Sequence, residues 1–159
     1  MAFIALREKG YNVKNIIVVD IDGTIADISH RVHHLNNKPI DWDAFYSECD
    51  KDRPIVNVIE IIRKLMEIYV IIFATGRSED ERAITSAWLL KNVPFLQTFT
   101  LLMRKSGDHR SDTVVKPESL SEYGLNPENV AFILEDRNKV VNKWRELGYT
   151  CLQVADGDF

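Results

Sequence analysis

The sequence predicts an α/β protein built on a doubly wound parallel sheet, with a small helical lid inserted after the first strand. Short apolar runs stop abruptly at polar residues, helical patterns fill most intervals between them, and one long interval, residues 25 to 53, lacks a strand run. Runs that are apolar throughout suit strands buried on both faces of a parallel sheet. Strands alternating with helices imply right-handed crossovers.

The elements follow in chain order. Ile16-Ile17-Val18-Val19 is a strand run that ends at Asp20. Within residues 25 to 53, Asp41-Trp42-Asp43-Ala44-Phe45-Tyr46 reads as the start of a short helix. A connection this long inside a small domain is usually functional, and a lid is expected. After Pro54, taken as a first helical residue, Val58, Ile61, Ile62 and Leu65 keep helical spacing. Tyr69 to Ala74 is a second strand run, ending at Thr75. Ser78-Glu79-Asp80-Glu81 has the form of a capping box, opening a helix that carries Ile84, Ala87, Trp88 and Lys91. Phe99 to Leu102 is a third strand run, ending near Arg104. Val130 to Leu134 is a fourth, ending at Glu135-Asp136. From Arg137, a helix with Val140, Val141, Trp144 and Leu147 runs to a stop at Gly148.

The 159 residues fit one domain of common size, and residues 1 to 159 are read as one domain with 25 to 53 as an insertion. An apolar fraction of 45% and a charged fraction of 28% describe a globular protein, neither disordered nor fibrous. A net charge of −4 argues mildly against a general nucleic-acid coat protein. Cys49 and Cys151 form neither a CxxC pair nor a disulfide framework and read as reduced thiols. With no signal-peptide pattern and no apolar run of membrane-spanning length, a cytoplasmic location is expected.

In doubly wound sheets, ligands bind beyond the carboxyl ends of the strands. The polar residues that end the runs therefore share one crevice, and their types suit phosphoryl transfer. Asp20 is a carboxylate that can form an aspartyl-phosphate. Asp22 stands two residues on, in reach to protonate a leaving oxygen and later activate water. Glu135 and Asp136 add hard oxygen ligands, which with Asp20 favour Mg²⁺. Thr75 can hydrogen-bond a phosphoryl group, and Lys116 can balance the clustered charge. Each residue alone has a plainer reading. Asp-X-Asp-Gly is commonly a turn, Thr75-Gly76 a strand terminus, Lys116 a solvated lysine and Glu135-Asp136 an acidic helix start. Their joint occurrence in order favours the chemical reading.

Asp20-Ile-Asp22-Gly-Thr24, Ala74-Thr75-Gly76-Arg77, Lys116 and Glu135-Asp136 resemble the four motifs of the haloacid dehalogenase superfamily of aspartyl-phosphate hydrolases, whose Rossmann-like fold the resemblance therefore implies. The resemblance runs from about Lys14 onward. Residues 104 to 116, Glu135-Asp136-Arg137 with Val140-Val141 and Trp144-Arg145, and the ending from Cys151 to Phe159 are more specifically similar to the 3′-phosphatase domain of phage polynucleotide kinase/phosphatases. It implies Asp20 as nucleophile and Asp22 as acid/base, with Thr24, Arg31, Thr75, Gly76, Arg77, Asp112 and Lys116 around the phosphate. Asp112 would orient Lys116 or an arginine. Mg²⁺ would take Asp20, the Asp22 backbone carbonyl and the pair Glu135-Asp136. Glu135 stands where relatives often have Asp, which leaves open which of the two meets the metal.

The implied substrate is a DNA or RNA 3′-phosphate end. No Gly-x-x-x-x-Gly-Lys-Ser/Thr occurs, so kinase chemistry is not expected from this chain, and a separate polynucleotide kinase or ligase is a candidate partner. One rival reading is a nucleotidase or small-metabolite phosphatase of the same chemistry; another is a non-catalytic module that kept the fold. His30, His33, His34, Lys38, Lys105, His109 and Arg110 can lean on a phosphate backbone or form solvated surface. Trp42, Phe45 and Tyr46 can stack on a base or, by preference, pack the lid; Trp88 and Trp144 read as structural.

Overall fold

Alternation along the first strand sets the architecture. In β1 (Ile16–Val19), Ile17 and Val19 face one apolar cluster and Val18 the other, as the two-residue period of a strand requires. The computed structural model describes residues 14–36 and 38–157. Residues 1–13 of the expected domain, Asn37 of the insertion and the closing Asp158-Phe159 lie outside them.

The remaining strands are β2 (Ala26–Asp27), β3 (Arg53–Pro54), β4 (Val70–Ser78), β5 (Thr100–Arg104), β6 (Val130–Arg137) and β7 (Cys151–Gly157). The helices are α1 (Trp42–Ser47), α2 (Val56–Leu65), α3 (Arg82–Asn92), α4 (Asp112–Glu122) and α5 (Asn138–Glu146). The main sheet is five-stranded in the order β5-β4-β1-β6-β7, with every pairing parallel. Ile59 and Ile62 of α2 and Trp88 and Leu89 of α3 pack with Ile17 and Val19; Leu120 of α4 and Val140, Val141 and Trp144 of α5 pack with Val18. Helices thus cover both faces, and the expected doubly wound sheet is present. The chain leaves β1 for β4 on one side and later returns to β6 on the other, which opens a crevice above the carboxyl end of β1.

Several local expectations change. Pro54 is not the first residue of a helix: it lies in β3, and α2 begins at Val56. The buried face of α3 is Thr85, Trp88 and Leu89; Ala87 and Lys91 are exposed, because the Trp88 side chain sets the rotation. Ile61 and Leu147 are exposed, at 55% and 40%. Ser78 caps as expected, its hydroxyl accepting from Asp80 N–H at 3.3 Å, but over a 3₁₀ turn, Glu79–Glu81, before α3 starts. Glu135 and Asp136 fall inside β6 rather than at a helix start.

Four elements have no counterpart in the sequence reading. β7 alternates poorly because it is an edge strand with four exposed residues. α4 carries Pro117 in its interior, which masks a helical pattern. β2 and β3 are two residues each and pair antiparallel, Ala26 with Pro54 and Asp27 with Arg53. Between them lie a 3₁₀ turn (Val32–Asn36), α1 and a second 3₁₀ turn (Cys49–Lys51), so the helix expected near Asp41 is present. Asp41 caps it, accepting from Ala44 N–H at 3.0 Å.

Candidate active site

The buried polar residues of this domain cluster at the crevice. Asp20, Thr24, Arg31, Asp52, Thr75, Arg77, Thr85, Lys116, Glu135 and Asp136 are all buried. Asp20 follows β1 directly, the Glu135-Asp136 pair lies in the last three residues of β6, and Thr75, expected to end its strand, lies in the last four residues of β4, which continues to Ser78. α4 presents Asp112 and Lys116 four residues apart on one face.

Two charged assemblies meet there. In the first, Lys116 Nζ donates to Asp20 at 2.7 Å and to Glu135 at 2.8 Å. The Thr24 hydroxyl lies 3.1 Å from the other Asp20 oxygen and 3.3 Å from Asp136. Oxygens of Asp20, Glu135 and Asp136 all lie within 4.8 Å of one another. Burial, then the Glu135 charge, holds the Asp20 carboxyl well above the usual carboxylate range, and the same causes push Asp136 to about 7. Burial opposes charge on Lys116, but Asp20 and Glu135 outweigh it and raise its pKa. Fully ionised, three carboxylates against one ammonium would leave two negative charges in a buried space, and a hard divalent cation would cancel them. Glu135 spends its oxygens on Lys116 and on the N–H groups of Asp136 and Arg137. Asp136 shares the Thr24 hydroxyl with Asp20. A β-carbon on Gly23 would stand 2.0 Å from its Oδ2 and one on Gly157 2.8 Å, so both glycines keep room for this carboxylate. The donor set fits a divalent metal.

In the second assembly, Asp22 and Asp52 face Arg31 and Arg77. Arg31 donates to Asp52 at 2.7 and 2.6 Å and to Asp22 at 2.6 Å; Arg77 donates to Asp22 at 2.5 to 3.1 Å and to Asp52 at 2.8 Å. Arg31 also reaches the Phe45 carbonyl and Arg77 the Thr85 hydroxyl, both at 3.3 Å. Burial would raise the Asp22 pKa, but Arg77 and Arg31 outweigh it and hold the carboxyl well below the usual range. The guanidinium groups are thus turned to Asp22 and Asp52.

Above both assemblies opens a cavity of about 520 Å³. Asp20, Asp22, Gly76, Asp112 and Lys116 line it. Thr24, Arg31, Thr75, Arg77, Glu135 and Asp136 stand behind this lining. Thr75 Oγ1 accepts from Arg77 N–H at 3.2 Å. The carboxylate of Asp112 pairs with Arg104 and Arg137, and Arg104 Nε also donates to the Gly76 carbonyl at 2.8 Å. Asp112 therefore orients arginines rather than Lys116, and both arginines line the cavity. A β-carbon on Gly76 would stand 2.5 Å from Asp112.

The sequence reading overlooked Asp52 and Lys139. Asp52 sits in the charged stretch Cys49-Asp50-Lys51-Asp52-Arg53, which carries no spacing signal, and it is fixed further by Trp88 Nε1 donating to its carbonyl at 2.8 Å. Among the described residues, no helix is long and apolar enough to cross a membrane, and both cysteines are free and buried.

The chain is similar to known proteins. A family model described as the polynucleotide kinase PNKP phosphatase domain matches residues 14–159. A putative bifunctional polynucleotide kinase/RNA ligase of Autographa californica nuclear polyhedrosis virus is 27% identical over 133 residues, covering 82% of this chain and 18% of that protein. A chain of the Pnkp1/Rnl/Hen1 RNA repair complex superposes with a TM-score of 0.77 at 30% identity, over 92% of this chain and 44% of its own length. The chain thus spans less than half of these two relatives. A haloacid dehalogenase-like hydrolase from Streptococcus pneumoniae, 15% identical, shares the fold with a TM-score of 0.61, over 88% of this chain and 84% of its own.

Proposed function

This chain belongs to the family of the polynucleotide kinase PNKP phosphatase domain, and from that premise we propose that it hydrolyses 3′-phosphates at polynucleotide ends, RNA ends foremost, with Mg²⁺. The observation that carries the reading is Asp20, aimed into a nucleotide-sized cavity and fixed by Lys116 and Thr24. The relatives named for polynucleotide kinase, RNA ligase and RNA repair support a nucleic-acid end, and a kinase or ligase acting beside this domain.

An Asp20 oxygen attacks phosphorus, the P–O bond to the 3′ carbon's oxygen breaks, and that oxygen takes a proton from Asp22. Water then attacks the aspartyl-phosphate, Asp22 accepts its proton, and inorganic phosphate leaves with Asp20 restored. The arginine-held carboxylate of Asp22 is the form that takes the proton in the second half. For the first half, Asp22 takes up one proton from solvent as the substrate enters, an uptake favoured by the negative charge of the incoming phosphate beside it. Lys116, Arg104 and Arg137 offset the phosphoryl charge. Mg²⁺, held by Asp20, Asp136 and the Asp22 backbone carbonyl, would neutralise phosphoryl oxygens. Residues 25 to 53 act as the lid, and the body and lid form one domain.

Turnover of a 3′-phosphorylated oligoribonucleotide, its DNA counterpart and 3′-mononucleotides with Mg²⁺ tests this. A clear excess of kcat/KM on the oligonucleotides is expected. A preference for mononucleotides would refute the polynucleotide reading and leave a nucleotidase.

A further inference from the structure

The insertion carries a graded set of three aromatic rings. Phe45 is buried, with the Arg31 guanidinium 4.1 Å from its ring centre. Tyr46 packs against it at 5.3 Å, edge-on, and donates its hydroxyl to the Gly76 carbonyl at 3.2 Å. Burial, then the Asp22 charge, raises the Tyr46 pKa, so this donor stays protonated. Trp42 lies on Tyr46, nearly parallel at 20° and 5.9 Å, yet it is 45% exposed. Trp88 and Trp144 are 2% and 1% exposed. Trp42 is therefore an exposed indole braced from below by two anchored rings. A side chain serving only to pack the insertion would be covered.

Trp42 lines the same cavity as Asp20, together with Leu35 and Ile40. The cavity also bears Arg104, Arg137 and Lys139. Lys139 is exposed and has no ion-pair partner among the described residues. One ligand class needs an apolar planar face, a phosphoryl position at Asp20 and a second anionic position in one cavity: a nucleotide joined through a phosphodiester to the next.

We propose that Trp42 is the stacking platform for the 3′-terminal base of a polynucleotide, with Lys139 taking the phosphodiester on its 5′ side. This deepens the substrate reading and rests on it. An unpaired terminal base can lay its face on the indole whatever its identity, so the platform selects unpaired 3′ ends without selecting sequence. An Arg or Lys opposite an aromatic wall supplies the sequence-independent charge.

The test compares wild type, Trp42→Ala, Trp42→Phe and Lys139→Ala on three substrates: a 3′-phosphorylated oligoribonucleotide, the same oligomer with an abasic 3′-terminal residue, and p-nitrophenyl phosphate. Stacking on one base is worth ~1–3 kcal/mol, or about 5- to 150-fold. Trp42→Ala should lower the ratio of oligonucleotide to aryl phosphate kcat/KM by that factor, mostly through KM, and Trp42→Phe should restore most of it. On the abasic oligomer, wild type and Trp42→Ala should be alike. Lys139→Ala should weaken oligonucleotide binding and reduce its salt dependence. Binding is followed separately by titrating the inactive Asp20→Asn protein with oligonucleotide: tryptophan fluorescence should be quenched, and the quench should vanish with Trp42→Phe added. Equal loss on all three substrates, or a quench that survives Trp42→Phe, overturns the proposal. If wild type shows no preference for oligonucleotide over aryl phosphate, the substrate reading itself fails, which is a different result from a preserved preference that ignores Trp42.

Discussion

Arg31 and Asp52 form a two-point ion pair, Nε and one terminal nitrogen at 2.7 and 2.6 Å from the two carboxylate oxygens, with both side chains fully shielded from water. The same Asp52 holds Arg77 at 2.8 Å, so one carboxylate fixes both guanidiniums that grip Asp22. Removing one partner of a buried pair leaves the other charge stranded, at roughly 3–5 kcal/mol. Asp52→Ala is expected to lose stability on that scale in urea denaturation, and Asp52→Asn to lose less. Both should also lower kcat, because Asp22 is no longer held from behind.

Asp20→Asn keeps the shape of the side chain but removes the nucleophile. Turnover of p-nitrophenyl phosphate should fall by at least ~10⁴, as for other residues at a reaction centre. Far-ultraviolet circular dichroism should be unchanged. Retained turnover would refute Asp20 as the nucleophile; no Mg²⁺-dependent turnover in the wild type would favour the non-catalytic alternative.

Divalent metal should stabilise the fold. The carboxylate crowding that raises the Asp20 and Asp136 pKa values is relieved when a cation binds, and binding to the folded state alone adds RT ln(1 + [L]/Kd), ~2.7 kcal/mol at a hundredfold excess over Kd. At ~2–4 °C per kcal/mol for a domain of this size, Mg²⁺ should raise Tm by roughly 5–10 °C over protein in EDTA. Gly157→Ala should blunt that shift, since its β-carbon would meet the Asp136 carboxylate at 2.8 Å.

How far the sequence was legible depends on the kind of signal each residue leaves. Asp20, Asp22, Lys116 and Asp136 were readable because strand runs stop at or beside most of them and the motif order repeats a known one. β7 was not, because an edge strand solvated along most of its length loses its apolar run. Arg31 and Arg77 were recognised as site residues, but not their burial against Asp22, since pairing nine residues on across an irregular loop, or 55 residues on, depends on the tertiary fold. Asp52 left no trace at all, for its partners lie 21 and 25 positions away.

The thiols report on the fold through pH. Burial pushes Cys49 up to about 11 and Cys151 to about 12, from an ordinary value of 9.0. Acids whose folded pKa is raised contribute stability that is full below 9 and is lost as pH rises through 11 to 12. Urea midpoints should therefore decline above pH 9. Labelling by a disulfide reagent at pH 8 should be slow for the native protein and fast once it is unfolded.

The β2–β3 pairing has one further consequence. The chain departs from the body and comes back at a single two-residue clasp, Ala26 with Pro54 and Asp27 with Arg53. The stretch between Arg31 and Asp52 can be lengthened at little cost, since doubling a closed loop adds only ~0.6 kcal/mol, as long as those two side chains keep their pairing. The five-stranded body and the Arg31–Asp52 pair can then stay constant while the segment between those two residues varies, so that the rim of the cavity is free to change shape with the buried charges of the site left in place.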